Sequence, residues 1–194
     1  IKTASAFSKL ANVDKVDAVI SWSSGAGNVV SPMAEQGKVI HFGIASDANV
    51  AKGEYNFTHL TPPESEAAKM VQELQKRQIK KIALVGLNQE GVVYTFNFLR
   101  SKMADAGIEI VYDALLPGDQ MDFKTEIQKI KSVKPQIILS EFFSPQIEIF
   151  ATQVKELGLS IPLTATEAFE FSEKPELFNG LWYVQVADPT DEFI

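Results

Sequence analysis

The chain has 194 residues, 45% hydrophobic and 22% charged, a balance that suits one sizeable core or two small lobes. Its 18 basic and 25 acidic residues leave a net charge of -7, which argues against nucleic-acid binding and against attraction to anionic lipid. Cysteine is absent, which excludes disulfides and thiol catalysis, and His41 and His59 stand 18 residues apart, a spacing that fits no metal site.

The elements can be taken in chain order. Ile1 opens directly into a helix-like stretch, Ala4-Ser5-Ala6-Phe7-Ser8-Lys9-Leu10, with no leader visible, and both ends read as cuts in a longer chain. Asp17-Ala18-Val19-Ile20 reads as a buried strand, a helix is expected from about Val29 to Gln36, and Lys38-Val39-Ile40-His41-Phe42 as the next strand. An extended segment runs from Tyr55 to Thr61. Pro62-Pro63 then opens a helix whose Ala67, Met70, Val71 and Leu74 form one apolar face. Lys81-Ile82-Ala83-Leu84-Val85 is a strand, followed by a helix bearing Val92, Phe96, Leu99 and Met103 that Gly107 stops.

Ile108 to Tyr112 alternates as a strand, Asp122 is placed to cap a helix bearing Phe123, Ile127 and Ile130, and Gln136-Ile137-Ile138-Leu139 is another buried strand. Ser144-Pro145 reads as a cap and first-turn proline for a helix through Leu157, with Gly158 as its stop. Ile161 to Thr164 and Leu181 to Val186 complete the strands. This alternation predicts an α/β fold with mainly parallel sheet and helices on both faces. No apolar run approaches the roughly 20 residues of a membrane helix, so direct membrane insertion is not expected.

In open parallel sheets ligands bind beyond the carboxyl ends of the strands. The residues there are Ser21-Trp22-Ser23-Ser24-Gly25-Ala26-Gly27, Gly43-Ile44-Ala45-Ser46-Asp47, Asn88-Gln89-Glu90-Gly91, Glu141-Phe142-Phe143-Ser144 and Thr166-Glu167. Hydroxyls, aromatics and one carboxylate therefore collect where a ligand would sit. Each also has a plainer reading: Ser24 as a turn that caps the next helix, Ser46 and Asp47 as ordinary loop residues, Phe142 and Phe143 as core, Glu167 as a solvated charge. Catalytic motifs fail. Trp22 stands where a nucleophile elbow around Ser24 needs glycine, Val30 stands where a dinucleotide fingerprint needs its third glycine, and no P-loop lysine follows.

Taken together these stretches resemble the leucine/isoleucine/valine-binding group of periplasmic ABC-transporter receptors. The resemblance runs from about residue 10 to 190. It rests on Asp14-Lys15-Val16-Asp17-Ala18-Val19-Ile20, Ser24-Gly25-Ala26 and Pro32-Met33-Ala34-Glu35. It continues through Tyr55-Asn56-Phe57 to Pro62, Gly118 to Asp122-Phe123, Lys134-Pro135-Gln136, Gly158-Leu159 with Ile161-Pro162, and Gly180-Leu181-Trp182.

The resemblance implies an α/β, two-lobed type I periplasmic-binding-protein (Venus-flytrap) fold, parallel sheets flanked by helices, with lobe one incomplete. Residues 1–60 would be part of lobe one, 61–184 lobe two, and 185–194 the second crossing. It implies an extracytoplasmic receptor, on the periplasmic or extracellular face of a bacterial membrane, that binds a small polar ligand of amino-acid type and serves an ABC permease, without enzyme activity, cofactor or metal. Ser24 and Ser46 would hold a ligand carboxylate, with backbone groups of Ile44 and Ala45 beside them. Phe143 would be an aromatic contact and Glu167 would pair with the ligand ammonium. Trp22, Ser23 and Glu90 are further pocket candidates, because the family's tyrosine after the Lys81–Val85 strand and its Gly-Pro before the serine turn are replaced here. A half-lobe would leave sheet edges and apolar surface uncovered, which favours aggregation or pairing, a dimer being one such outcome. The same fold also serves in signalling receptors and amide-responsive regulators. An enzyme with Glu167 as base lacks a nucleophile, metal cluster or cofactor loop.

Overall fold

The computed structural model describes residues 2–185. The chain divides into two compact units, Ile1–Pro63 with Gln89–Thr95 and Glu64–Asn88 with Phe96–Ile194. Each carries its own parallel sheet.

In the first unit the order is α1 (Lys2–Asn12), β1 (Ala18–Trp22), α2 (Ser24–Gly37), β2 (Ile40–Ile44), a 3-10 turn at Ala48–Ala51, and β3 (Asn56–Thr58). The strands lie side by side as β1-β2-β3, all parallel, with Ile20 opposite Phe42 and Phe42 opposite Phe57. Side chains alternate across a strand. Val19 therefore turns to the core it forms with Phe7, Val30, Ala34 and Val39, under α1 and α2. Ile20, Trp22, Phe42 and Phe57 turn the other way and are exposed, Ile20 by 75% and Trp22 by 67%. The Phe42 and Phe57 rings stack there at 5.4 Å. Among the described residues of this unit, α1 and α2 lie over one face of the sheet.

A buried histidine holds this sheet's polar interior. His41 Nδ1 lies 2.8 Å from Asn56 Oδ1, and His41 Nε2 lies 2.7 Å from Ser21 Oγ. The Asn56 amide nitrogen donates to the Ser31 and Lys52 carbonyls, which fixes Oδ1 as the acceptor. Nδ1 therefore carries a proton and donates to Asn56. Glu35 ties α2 to the approach to β3 by accepting from the N–H groups of Glu54 and Tyr55. Those bonds hold its carboxyl below the usual carboxylate range.

The second unit contains α3 (Pro63–Lys76), β4 (Lys81–Leu87), α4 (Glu90–Asp105, its first residues belonging to the first unit), β5 (Glu109–Leu116), α5 (Lys124–Val133), β6 (Ile137–Glu141), α6 (Gln146–Glu156) and β7 (Leu163–Thr164). The sheet order is β5-β4-β6-β7, all parallel. Strands buried on both faces read as continuous apolar runs, and β4 and β6 do. Ala83, Val85 and Leu87 join a core with Phe123, Ile127 and Ile130 of the α5 segment and Ile147, Phe150 and Val154 of α6. Ile82 and Leu84 point to the opposite side and are equally buried, as are Met70 and Leu74 of α3 and Phe96, Leu99 and Met103 of α4. Phe123, Phe142 and Phe150 meet at centroid distances of 4.8 to 5.6 Å, each pair adding about 0.5–1.5 kcal/mol beyond its buried area. Gly107 takes φ 67° and lets the Ile108 N–H reach back to the Met103 carbonyl at 2.9 Å, which ends α4.

Several boundaries differ from the sequence reading. The helix expected from Val29 begins at Ser24, so Ser24-Gly25-Ala26-Gly27 is its first turn. Of the extended segment Tyr55–Thr61, only Asn56–Thr58 is strand. Ser144 does not cap α6. Pro145 precedes the helix, and the Ser144 hydroxyl bonds instead to the Glu148 carboxylate. Asp122 accepts from the Lys124 N–H at 3.0 Å, one residue ahead of the cap position that Phe123 occupies. In place of a Leu181–Val186 strand, Val184 makes a single parallel bridge to Thr166; Val186 and all but the first residue of the crossing expected at 185–194 lie outside the described residues.

Candidate functional site

Two polar constellations lie at strand ends, one in each unit. In the first, Ser23 follows β1 with φ 81° and ψ 150°, a region that costs a non-glycine residue roughly 1–3 kcal/mol. From there its Oγ accepts from the Ala26 N–H at 3.4 Å, so Ser23, not Ser24, caps α2. This releases Ser24, which is buried, and its Oγ accepts from the Asp47 N–H at 3.2 Å. A methyl group on Gly91 would lie 3.1 Å from Ser24 Oγ and 3.8 Å from Ser46 Oγ. Both hydroxyls and the Gly91 backbone therefore converge on one small volume, at the end of α2 where the dipole favours negative charge.

The neighbours of Ser24 are acidic. Asn28, one turn along α2, donates to Asp47 Oδ2 at 2.9 Å and to Glu90 Oε2 at 2.7 Å. Glu90 is itself exposed and stands beside Gly25. The carbonyls of Ile44 and Ala45 are engaged within the fold, accepting from the Ser23 N–H at 3.0 Å and from Thr58 Oγ1 at 2.8 Å. Trp22 is the last residue of β1, and its side chain belongs to the exposed face with Phe42, apart from the buried hydroxyl of Ser24.

In the second unit, three carboxyl groups gather. Glu141 ends β6 in a fully buried position and accepts from the Thr166 N–H at 2.6 Å and Thr166 Oγ1 at 2.9 Å. Burial pushes its carboxyl well above the ordinary value; the Thr166 bonds oppose this, and the charges of Glu66 and Glu167 add to it. Glu66, buried in the first turn of α3, is pushed up to about 8, first by burial and then by the charge of Glu167 and a hydrogen bond to it. A first-turn acid gains only about 0.3–1 kcal/mol from the helix dipole, so burial wins. Glu167 is half-buried with φ 53°, held by its N–H donating to the Val184 carbonyl at 2.8 Å. It is thus not a solvated loop charge. Phe142 is core, whereas Phe143 is 38% exposed and pairs with Phe171 at 6.2 Å.

The structure thus gathers Ser23, Ser24, Ser46 and Glu90 in one unit and shows Glu167 with two further acids in the other. Sequence reasoning missed Asn28, Glu66 and Glu141 as site residues, although each left a signal. Glu66 precedes Met70 and Leu74 at i+4 and i+8, so it is a carboxylate on a buried stripe. Glu141 directly continues a buried strand, and Asn28 follows Ser24 by one helical turn. Among the described residues no group of three or more His, Cys, Asp or Glu side chains is arranged to hold a metal ion, and no helix is long and apolar enough to cross a membrane.

Solved structures share this fold. A leucine-binding protein, LivK, from Thermotoga maritima superposes with a TM-score of 0.83 at 21% identity, covering 94% of this chain and 54% of that one. A solute-binding protein of an ABC transporter from R. palustris, in complex with 4-hydroxybenzoate, gives 0.79 at 16% identity, covering 86% and 47%. Another, from Rhodopseudomonas palustris BisB5 with 3,4-dihydroxybenzoic acid, gives 0.78 at 22% identity over the same shares. The chain spans about half the length of these proteins. No curated relative matches it. A family model described as periplasmic binding protein matches residues 2–174. With its parallel sheets flanked by helices in the type I arrangement, the chain belongs to the periplasmic binding protein family.

Proposed function

We propose that this chain is the ligand-binding part of an extracytoplasmic receptor that carries an amino acid to the permease of an ABC transporter, and that it performs no chemistry on its ligand. What supports the reading is that each unit, by itself, carries a polar set of opposite character: converging hydroxyls of Ser24 and Ser46 in one, and the Glu167 carboxyl group with its acidic neighbours in the other. The first set suits a carboxylate, which accepts from hydroxyls and backbone N–H groups at a helix start. The second suits an ammonium, which is costly to bury unless a carboxylate meets it.

In this reading residues 1–60 and 61–184 act as two lobes that close on the ligand by hinge bending. The carboxylate docks on Ser24 and Ser46, and Glu167 and Phe143 meet the ammonium and side chain. The half-exposed Phe143 and Phe171 rings favour a second reading, an aromatic-acid ligand of the kind two structural neighbours hold. Three buried or half-buried carboxyl groups weigh against it, because a ligand with only negative charge gains nothing from them. A thermal-shift screen of the full-length receptor against amino acids, amides and hydroxybenzoates separates the two, since a molecule that binds the native state raises its melting temperature. Amino acids are expected to stabilise; stabilisation by hydroxybenzoates alone would reject the reading.

A further inference from the structure

Two phenylalanine rings stand half-exposed at the carboxyl end of the second sheet. Phe143 follows β6 by two residues, and Phe171 ends a 3-10 turn, Ala168–Phe171, that follows β7. Their neighbours in the chain are core: Phe142 is fully buried, and Phe169 is buried with its ring stacked on Phe178 at 4.3 Å. Phe143 and Phe171 instead meet each other, 6.2 Å apart and tilted by 57°, and leave 38% and 43% of their surface open. One buried carboxylate joins the segments that carry them. Glu148, in the first turn of α6 and 6% exposed, accepts through Oε1 from the Ser144 hydroxyl, from the Ser172 hydroxyl at 2.6 Å and from the Glu173 N–H at 2.8 Å. Ser144 directly follows Phe143, and Ser172 directly follows Phe171. The Ser144 hydroxyl also lies 3.2 Å from the Phe171 carbonyl oxygen. Glu148 Oε2 is buried without a hydrogen-bond partner, which is costly, so the carboxyl is kept for what Oε1 holds.

We infer that Phe171 joins Phe143 as a ligand contact, and that Glu148 is the positioning residue that sets the two rings as one clamp for a ligand's aromatic side chain. This rests on the amino-acid reading above for the ligand's charged head, and adds what the second unit selects beyond it. Aromatic rings prefer offset or tilted neighbours at centroid distances of about 4.5–7 Å. Two rings already tilted against each other offer a third one both a face and an edge. A ring docked against them takes three apolar surfaces out of water, whereas a methyl side chain covers little of that area. Glu148 is too buried to touch a ligand, so it acts only through the placing of the rings. Without its carboxylate, Ser144 and Ser172 lose their shared partner and the two ring-bearing segments are free to part. The clamp therefore selects an aromatic amino acid over a small aliphatic one.

The test is calorimetric titration of the full-length receptor with L-phenylalanine and L-alanine, which share a charged head and differ by the ring alone. The ratio of their Kd values reads the clamp and cancels any change in the folded fraction. The unaltered receptor is expected to prefer L-phenylalanine by more than about tenfold. Phe171→Ala, at a half-exposed position, is expected to cut that preference by about fivefold or more. Glu148→Ala is expected to cut it as far without a ligand contact of its own. Glu148→Gln keeps an acceptor at the place of Oε1 and puts its amide nitrogen where Oε2 has no partner to lose, so the preference is expected to return to within about threefold of the unaltered receptor. Ser172→Ala breaks the same tie from the other side, gives a milder variant where Glu148→Ala does not fold, and is expected to lower the preference in the same direction. An unchanged ratio in Phe171→Ala, or in Ser172→Ala and Glu148→Ala alike, overturns the inference but leaves the amino-acid reading standing. A receptor that binds neither amino acid contradicts the amino-acid reading itself, and the clamp with it.

Discussion

Glu167 and Ser24 show how far a single side chain's role depends on what its neighbours already do. Ser23 takes over the capping of α2, so the Ser24 hydroxyl is spared for the volume it shares with Ser46. Glu167 acts on Glu66 and Glu141, and its charge raises both of those acids. Glu167→Gln is therefore expected to weaken amino-acid binding by more than about tenfold, because it removes a charge-assisted contact worth about 1.5–3 kcal/mol. Calorimetry giving an unchanged Kd would refute the ammonium role. Glu66 also makes stability depend on pH. Its folded-state value is raised to about 8, so between the ordinary carboxylate range and about pH 8 the native state holds a proton that the unfolded chain has released. Stability then falls as pH rises through that window. The melting temperature should decline from pH 5 to pH 8, and Glu66→Gln should flatten the decline. An equal decline in the variant would place the effect elsewhere.

Helices and strands were the most legible level in the sequence. The Ala67, Met70, Val71 and Leu74 stripe of α3, the buried runs of β4 and β6, and the glycine stop of α4 follow from local periodicity and backbone freedom, and the structure has them. The errors fall where tertiary contacts override local preference. Two glycines at 25 and 27 suggest a turn, yet α2 starts at Ser24, because its first turn packs closely on the 3-10 turn after β2. A methyl group on Gly27 would come within 2.7 Å of Val50. Gly27→Ala thus gains helix propensity but overpacks that contact, and a net loss of about 1–3 kcal/mol is expected. Denaturant unfolding of the receptor measures it; a more stable variant would show that the contact yields easily. Glu66 was invisible as a site residue for a related reason: its partner Glu167 lies a hundred residues along the chain, and only the folded sheet end brings them together.

For the molecule as a whole, alternation of strands and helices announces parallel α/β structure, and the two sheets are both wholly parallel. In β1 and β2 both faces carry apolar residues, yet Ile20, Trp22 and Phe42 are exposed in the described structure. The polar constellations likewise became visible only as sets: each acid or hydroxyl has an ordinary reading alone, and the chemistry comes from their convergence. The most direct measurement is a titration of the full-length receptor with an amino acid, its decarboxylated amine and its deaminated acid, alongside 4-hydroxybenzoate. A receptor that uses Ser24 and Ser46 for a carboxylate and Glu167 for an ammonium binds the amino acid and loses more than about tenfold in affinity for either truncated analogue. Equal or tighter binding of the deaminated acid or of 4-hydroxybenzoate would contradict it.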